Sequence, residues 1–377
     1  MSTAFWLEEP FPPLPHRALP AAPEVEVVGG GVTGCTCALV LARAGVRVRL
    51  HEARQVASGA SGRNGGFALR GAAMPYDRAR EELGREAARA LWRLTEAALL
   101  HMAELAGDAF RRTGSVRLAV DADEAEAIRR EYDALAEDGF EVEWQAALRP
   151  PLRGRFAAAL VHPPDGTLQP ARWVRRLALF AAQAGAEIRE RSRVALADLE
   201  AERIVVATDG YGSGLVPALD ELVRPARGQV LMTEALPQLL FDRPHYARHG
   251  FDYWQQTRDR RLVAGGWRDT ALEAEFTDQE RTTAGIQRRI EAFVRELVGR
   301  PARVTHRWAG IFGITPDLRP LAGPLPGDER VWVAAGYSGH GNVLGLVCGE
   351  LVAQALLGKP RPELELFDPA RFGARRR

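Results

Sequence analysis

The stretch that decides the fold runs from Val25 to Glu52, VEVVGGGVTGCTCALVLARAGVRVRLHE. Val25, Val27 and Val28 read as a short buried strand. Cys35 to Ala44 read as a helix closed by Gly45, at the position where a left-handed residue is wanted, and Val46, Val48 and Leu50 alternate as a second strand. The turn between them, Gly29 to Gly34, fits GxGxxG. Gly29 makes the tight turn, Gly31 lets a pyrophosphate approach the backbone, and Gly34 lets the helix pack on the strand. Glu52 ends the second strand, where a carboxylate accepts ribose hydroxyls and repels a 2′-phosphate. This is a βαβ unit for a dinucleotide, and by itself it does not separate FAD from NAD.

The residues just beyond Glu52 favour FAD. Ala57-Ser58-Gly59-Ala60-Ser61-Gly62-Arg63-Asn64-Gly65-Gly66 is a run of small residues whose amides and hydroxyls suit a ribityl chain and a closely approached ring. An NAD enzyme would normally continue into its next crossover helix. An NAD-type Rossmann dehydrogenase remains the alternative, beside a non-catalytic flavin-holding subunit or a tRNA-modification partner.

Outward from this core, the 377 residues are enough for two lobes. Fifty basic against 49 acidic residues give a net charge of +1, which supplies no basic field for nucleic acid. The three cysteines, Cys35, Cys37 and Cys348, form no zinc or disulfide framework, no metal site is predicted, and a reducing cytoplasm is the expected location. Residues 1–23 lack the pattern of a signal peptide and read as an extended proline-rich leader, and no apolar run is long enough to span a bilayer. Helices are predicted over Arg78–Leu105, Ala122–Ala136, Arg172–Ala184 and Val343–Leu357. Strands are predicted at Glu187–Val194, Arg203–Ala207 and Val331–Ala334, with short antiparallel strands in Gly228–Thr233, Tyr253–Gln256 and Arg261–Gly265. Residues 371–377 form a basic tail, expected to be a solvated end.

At ASGASGRNGG the sequence resembles the D-amino-acid oxidase type of FAD-dependent oxidoreductases, in the branch like gamma-glutamylputrescine oxidase. The resemblance continues in order through Ala207-Thr208-Asp209-Gly210-Tyr211, Arg227-Gly228-Gln229-Val230, Trp308-Ala309-Gly310-Ile311, Thr315-Pro316-Asp317 with Pro320, and Gly336-Tyr337-Ser338-Gly339-His340-Gly341. It implies an α/β fold: a discontinuous Rossmann-like FAD domain at 24–75, 151–226 and 306–370, interleaved with an antiparallel α+β substrate domain at 76–150 and 227–305. Gly29, Gly31, Val32, Thr33 and Gly34 would hold the pyrophosphate. Glu52, with Ala53 and Arg54, would take the adenosine ribose, and Val194 would meet adenine. Ser58, Ser61, Arg63, Asn64, Gly65 and Gly66 would lie along the ribityl and flavin edge. Thr208, Asp209 and Gly210 would close the other side of the pyrophosphate; family members often carry glycine or asparagine in place of Asp209. Gly310, Gly336, Tyr337, Gly339, His340, Gly341 and Asn342 complete the set. The last turn heads a helix whose free amides would face the pyrimidine end of the flavin.

The chemistry so implied is hydride transfer to flavin N5 from the carbon bearing an amine, giving an imine that water hydrolyses. The partners are a small amine or amino acid and O2 or another electron acceptor. Arg63, Tyr253, Trp267, Arg268 and His340 are the candidate catalytic residues, with His306 and Trp308 as further wall candidates. For Trp267 and Trp308 core packing competes with a place in the substrate wall, and for Arg268 a salt bridge competes with binding of a substrate carboxylate. His340 can contribute through its amide alone. His101 and Glu104 share a helical face and read as surface groups. Related sarcosine oxidases set a lysine over the flavin, whereas the only lysine here is Lys359, beyond the last helix; Arg63 is the candidate to supply that charge instead. No cysteine matches the positions of covalent attachment, so noncovalent FAD is expected.

Overall fold

A computed structural model describes residues 3–15 and 17–376, the side chains of 374–376 excepted; most of the basic tail therefore lies outside the described side chains. The Val25–Glu52 unit forms as the sequence dictates: strand Val25–Val28, helix Val32–Arg43 and strand Val48–His51, with Val25 level with Val48 in parallel register. These strands centre a six-stranded sheet. Its order is Leu321–Leu325, Asp328–Ala335, Arg203–Val206, Val25–Val28, Val48–His51 and Glu187–Arg189, all parallel except the first. Strands such as Val25–Val28 are buried on both faces, because helices cover the sheet. Two of these helices cross closely. A Cβ on Gly345 of helix Gly341–Leu356 would lie 2.5 Å from Val32 Cγ1, so glycine there lets the closing helix seat against the first.

A second, eight-stranded sheet runs Val304–Ile314, Arg224–Ala235, Arg261–Gly266, Asp252–Gln256, His245–Ala247, Ser115–Ala119, Ala158–His162 and Glu143–Gln145. The long strands Arg224–Ala235 and Val304–Ile314 pair antiparallel along their length. The division expected from the sequence assigns Ala158–His162 and most of Val304–Ile314 to the nucleotide domain, yet both strands belong to this sheet, so the chain crosses between lobes more often than that division implies. Phe67–Ala68, Gly166–Leu168 and Phe110–Arg112 form a third, three-stranded antiparallel ribbon.

The predicted helix Arg78–Leu105 is two helices, Tyr76–Leu83 and Arg85–Ala106, because Gly84 takes φ +84° and breaks the ladder. The leader departs from a simple extended strand: Phe5–Glu8 is one helical turn, and Trp6 is 3% exposed. Cys35, Cys37 and Cys348 are buried in the core, and burial pushes the Cys37 thiol up to about 12. Among the described residues no helix is long and apolar enough to cross a membrane, and no group of three His, Cys, Asp or Glu is placed to hold a metal ion.

Candidate functional site

A cavity of about 1030 Å³ runs from the carboxyl ends of the parallel strands to the face of the eight-stranded sheet. It lies at the upper end of ordinary small-molecule sites, which span about 300–1,000 Å³. Its first half is the glycine turn. Gly29 has φ +114°, and a Cβ on Gly34 would overlap the Gly29 carbonyl oxygen, so neither position admits a side chain without moving the turn. Glu52 accepts the Gly30 amide at 2.8 Å on one oxygen and the Arg54 amide at 2.8 Å on the other, which fixes its carboxylate beside the turn. Ser61 Oγ accepts the Val32 amide at 3.1 Å and ties the 57–66 loop to the start of the first helix. Ala53, Arg54, Val194, Thr208 and Asp209 line the same end.

The 57–66 loop is pinned from several sides. Arg63 donates from Nε to Ser58 O at 2.7 Å and from Nη1 to Ala309 O at 3.2 Å, and its Nη2 pairs with Glu280 at 3.0 Å. Glu280 also holds Arg54 at 3.1 Å and accepts the Tyr211 hydroxyl at 2.6 Å, so one carboxylate from the 277–283 segment offsets both guanidinium charges. Asn64 and Asn342 exchange amide hydrogen bonds at 3.2 and 3.1 Å, joining the loop to the last helix. Trp6 donates to Asn64 O at 2.9 Å, and Trp308 donates to Arg63 O at 2.7 Å.

At the far end of the turn, helix Gly341–Leu356 begins at His340 with no side-chain cap, and Gly339, His340, Gly341 and Asn342 line the cavity. Uncapped first-turn amides and the helix dipole make this end attractive to negative charge. His340 Nδ1 has no hydrogen-bond partner, and burial, assisted by the charge of Arg117, lowers its pKa to about 4; the ring is neutral at neutral pH. Asp209 lies under this turn at φ +48°, accepting the Gly336 amide at 2.8 Å and the Gly313 amide at 3.0 Å. Burial raises its pKa against those bonds. Its carboxylate braces two glycine segments.

The sheet side is aromatic and basic. Tyr253 stands over the loop: a Cβ on Gly65 would lie 2.9 Å from its ring, and burial pushes its phenol up to about 12. Arg268 lines the cavity next to it, 4.8 Å from the Phe251 ring centre and 5.6 Å from that of Phe312. Among the described residues it has no hydrogen bond and no ion pair, and burial lowers its pKa, with Tyr253 opposing.

The predicted residues thus divide. Gly29, Gly31, Val32, Thr33, Glu52, Ala53, Arg54, Ser61, Arg63, Asn64, Gly65, Val194, Thr208, Asp209, Tyr253, Arg268, Gly310, Tyr337, Gly339, His340, Gly341 and Asn342 line one cavity. Gly34, Ser58, Gly66, Gly210 and Gly336 stand behind it, in the turns that shape its wall. Trp267 does not line it. Its backbone at φ +62° turns the ring onto Phe293, 6.2 Å away, beneath the Arg248 guanidinium. Trp308 is fully buried, and His306 meets the leader, 3.1 Å from Glu8 and edge-on to Phe5. His101 pairs with Glu350 at 2.6 Å, away from the cavity. Glu280, Trp6, Arg117 and Tyr246 carry no motif that marks them.

The model of the family described as FAD dependent oxidoreductase (DAO) matches residues 24–355. The chain belongs to that family. It is 30% identical to the probable oxidoreductase OrdL of Rhizobium meliloti, over 98% of this chain and 91% of that protein. It is 28% identical to the gamma-glutamylputrescine oxidoreductase of Escherichia coli, over 92% and 85%. The crystal structure of glycine oxidase from Geobacillus kaustophilus superposes with a TM-score of 0.76 at 26% identity, covering 94% of this chain and 99% of that one. This is an FAD-dependent oxidoreductase of the amine and amino-acid oxidase type, with a Rossmann-like cofactor domain. The site fits the cofactor: a glycine turn with no room for added side chains, a carboxylate fixed beside it, and an uncapped helix start opening on one long cavity.

Proposed function

We propose that the chain oxidises the carbon–nitrogen bond of a small amine or amino acid held between Tyr253, Arg268 and His340. The observation that carries this is the guanidinium of Arg268, buried in the cofactor cavity with no ion-paired carboxylate among the described residues. A carboxylate there would receive bidentate, charge-assisted hydrogen bonds. FAD, when bound, would supply the two-electron acceptor for a hydride lost from the substrate carbon, and water would hydrolyse the resulting imine.

The protein's own part is placement. Tyr253 and Phe251 give the donor carbon an apolar wall and keep bulk water from it. Neutral His340 adds no cation beside the amine, which must be uncharged to give up a hydride. The start of helix Gly341–Leu356 supplies fixed positive potential where negative charge develops, at no reorganisation cost. Glycine oxidase and gamma-glutamylputrescine oxidoreductase, both similar to this chain, support an amino acid or amine as donor.

The test is anaerobic titration of the FAD-loaded protein with amines and amino acids, followed by admission of air. Bleaching of the flavin bands identifies the donor, and the rate of colour return distinguishes an oxidase from a dehydrogenase. Arg268→Met should weaken binding of carboxylate-bearing donors by about tenfold or more, the loss of a charged hydrogen bond being about 1.5–3 kcal/mol. A full panel with no bleaching rejects the proposal.

A further inference from the structure

We propose that the cap end of the same cavity is a second subsite, for a carboxylate at the far end of the substrate, and that Arg117 anchors it. This rests on the function proposed above and extends it to a substrate class: an amine with an acid group at the opposite end of its chain.

The placement follows from strand register. Trp308, Val230, Gly265, Tyr253, Tyr246 and Arg117 are successive partners across the eight-stranded sheet and share one face. Trp308 holds the carbonyl of Arg63, and Tyr253 covers Gly65, so the row starts at the flavin loop. Arg117 is two strands beyond Tyr253, about 10 Å at a strand spacing of about 4.8 Å. Tyr246 and Arg117 line the cavity with Met74 and Trp92, so the space between is bounded by apolar surface that suits methylene groups.

The chemistry follows from what the wall lacks. The Arg117 side chain is only 9% exposed; it donates from Nη1 to Glu131 and makes no other hydrogen bond among the described residues. Its Nε has no partner. Arg70, fully buried, donates from Nη2 to His162 Nδ1 at 3.2 Å, which leaves His162 Nε2 as the N–H of a neutral ring. That atom and Arg70 Nε are also unpartnered. Burial, then the charges of Arg70 and Arg117, hold the His162 pKa far below its usual value, so this ring does not titrate near neutrality. Three elements therefore bring buried donors to one wall and no acceptor for them. A buried unmade hydrogen bond is expensive, and native interiors leave few. Of the carboxylates acting on Arg117, namely Glu131, Glu124 and Asp77, only Glu131 lines the cavity, and it takes one of the guanidinium's five N–H groups.

The test uses the FAD-loaded protein and straight-chain primary amines from butylamine to heptylamine, each compared with the amino acid of equal length carrying its carboxylate at the opposite end. Binding and anaerobic flavin bleaching are recorded for each pair. The wild type should favour the carboxylated partner by about tenfold or more, with an optimum at one chain length, and Arg117→Met/Glu131→Gln should bring that preference to about one. The double variant leaves no stranded buried charge. Should it lose its flavin, Arg117→Lys serves, and is expected to cut the preference because a lysine cannot present the same fork. Equal use of both partners by the wild type, or a preference that survives in the Arg117 variants but disappears in Arg268→Met, overturns the subsite. If no amine bleaches the flavin, the proposed function falls. The subsite is then judged by spectral titration with straight-chain dicarboxylates, where length-selective binding lost in the Arg117 variants upholds it and unselective or absent binding rejects it.

Discussion

Trp6 gives the sharpest prediction, because it joins a leader with no motif to the 57–66 loop that lines the cavity. Its ring is 3% exposed, its indole N–H reaches Asn64 O at 2.9 Å, and the next residue, Leu7, packs on Gly62. Glu9 then fastens the leader to Arg172 at 2.6 Å and to Gln169 at 2.8 Å. Trp6→Phe removes the hydrogen bond and keeps most of the packing. A bond of this kind contributes about 1 kcal/mol, so the affinity for FAD should fall roughly fivefold. Trp6→Ala removes the ring as well, a change that costs about 3–5 kcal/mol at a buried site, enough to free the leader locally. Its affinity for FAD should then fall further than that of Trp6→Phe, because the 57–66 loop must be ordered by the cofactor itself. The assay is quenching of FAD fluorescence on titration into apoprotein, with trypsin cleavage in the leader as a second readout. Wild-type FAD affinity in Trp6→Ala, with the leader cleaved, would refute the idea that the leader holds the loop ready.

Three further outcomes are expected. Glu280 offsets both Arg54 and Arg63, so Glu280→Gln should raise the potential of bound FAD by on the order of 20 mV for each kcal/mol of charge unmasked, and Arg63→Met should slow flavin reoxidation by O2; unchanged reoxidation in Arg63→Met removes that residue from the oxygen step. Acid precipitation should leave a colourless pellet and a yellow supernatant, since Cys35, Cys37 and Cys348 are all buried outside the cavity; a yellow pellet contradicts noncovalent binding. Burial holds the His245 pKa at about 4, so the folded state binds fewer protons than the unfolded chain between about pH 4 and 6.5. Its contribution is present above 6.5 and is lost as pH falls through 4. Between pH 7 and 5 the loss is roughly 2 kcal/mol, and His245→Phe, which keeps the ring on Trp254, should remove that part of the slope in urea melts.

The parts of the site that were legible in the chain are those made by neighbours in sequence. Gly29 to Gly34 and Glu52 announce themselves because a strand, a turn and a helix must succeed one another within about thirty residues. Gly84 was harder: glycine inside an amphipathic run is tolerated in many helices, and only its φ shows the break. Trp267 looked like a cavity aromatic because it follows strand Arg261–Gly266, whose last residue lines the cavity, but one left-handed residue turned it to the helix Ala284–Val298. Glu280 and Arg117 were not legible at all. Each acquires its role from partners far away in sequence, Glu280 from Arg54, Arg63 and Tyr211, and Arg117 from the register of its strand with Tyr246.

The order of strands has a consequence for how the molecule is made. Strands Leu321–Leu325 and Asp328–Ala335 and helix Gly341–Leu356 complete a sheet that begins at Val25, so a nascent chain holds half a cradle until it has been made as far as that helix. A frameshift or nonsense codon that removes helix Gly341–Leu356 should yield an empty protein instead of a weaker one.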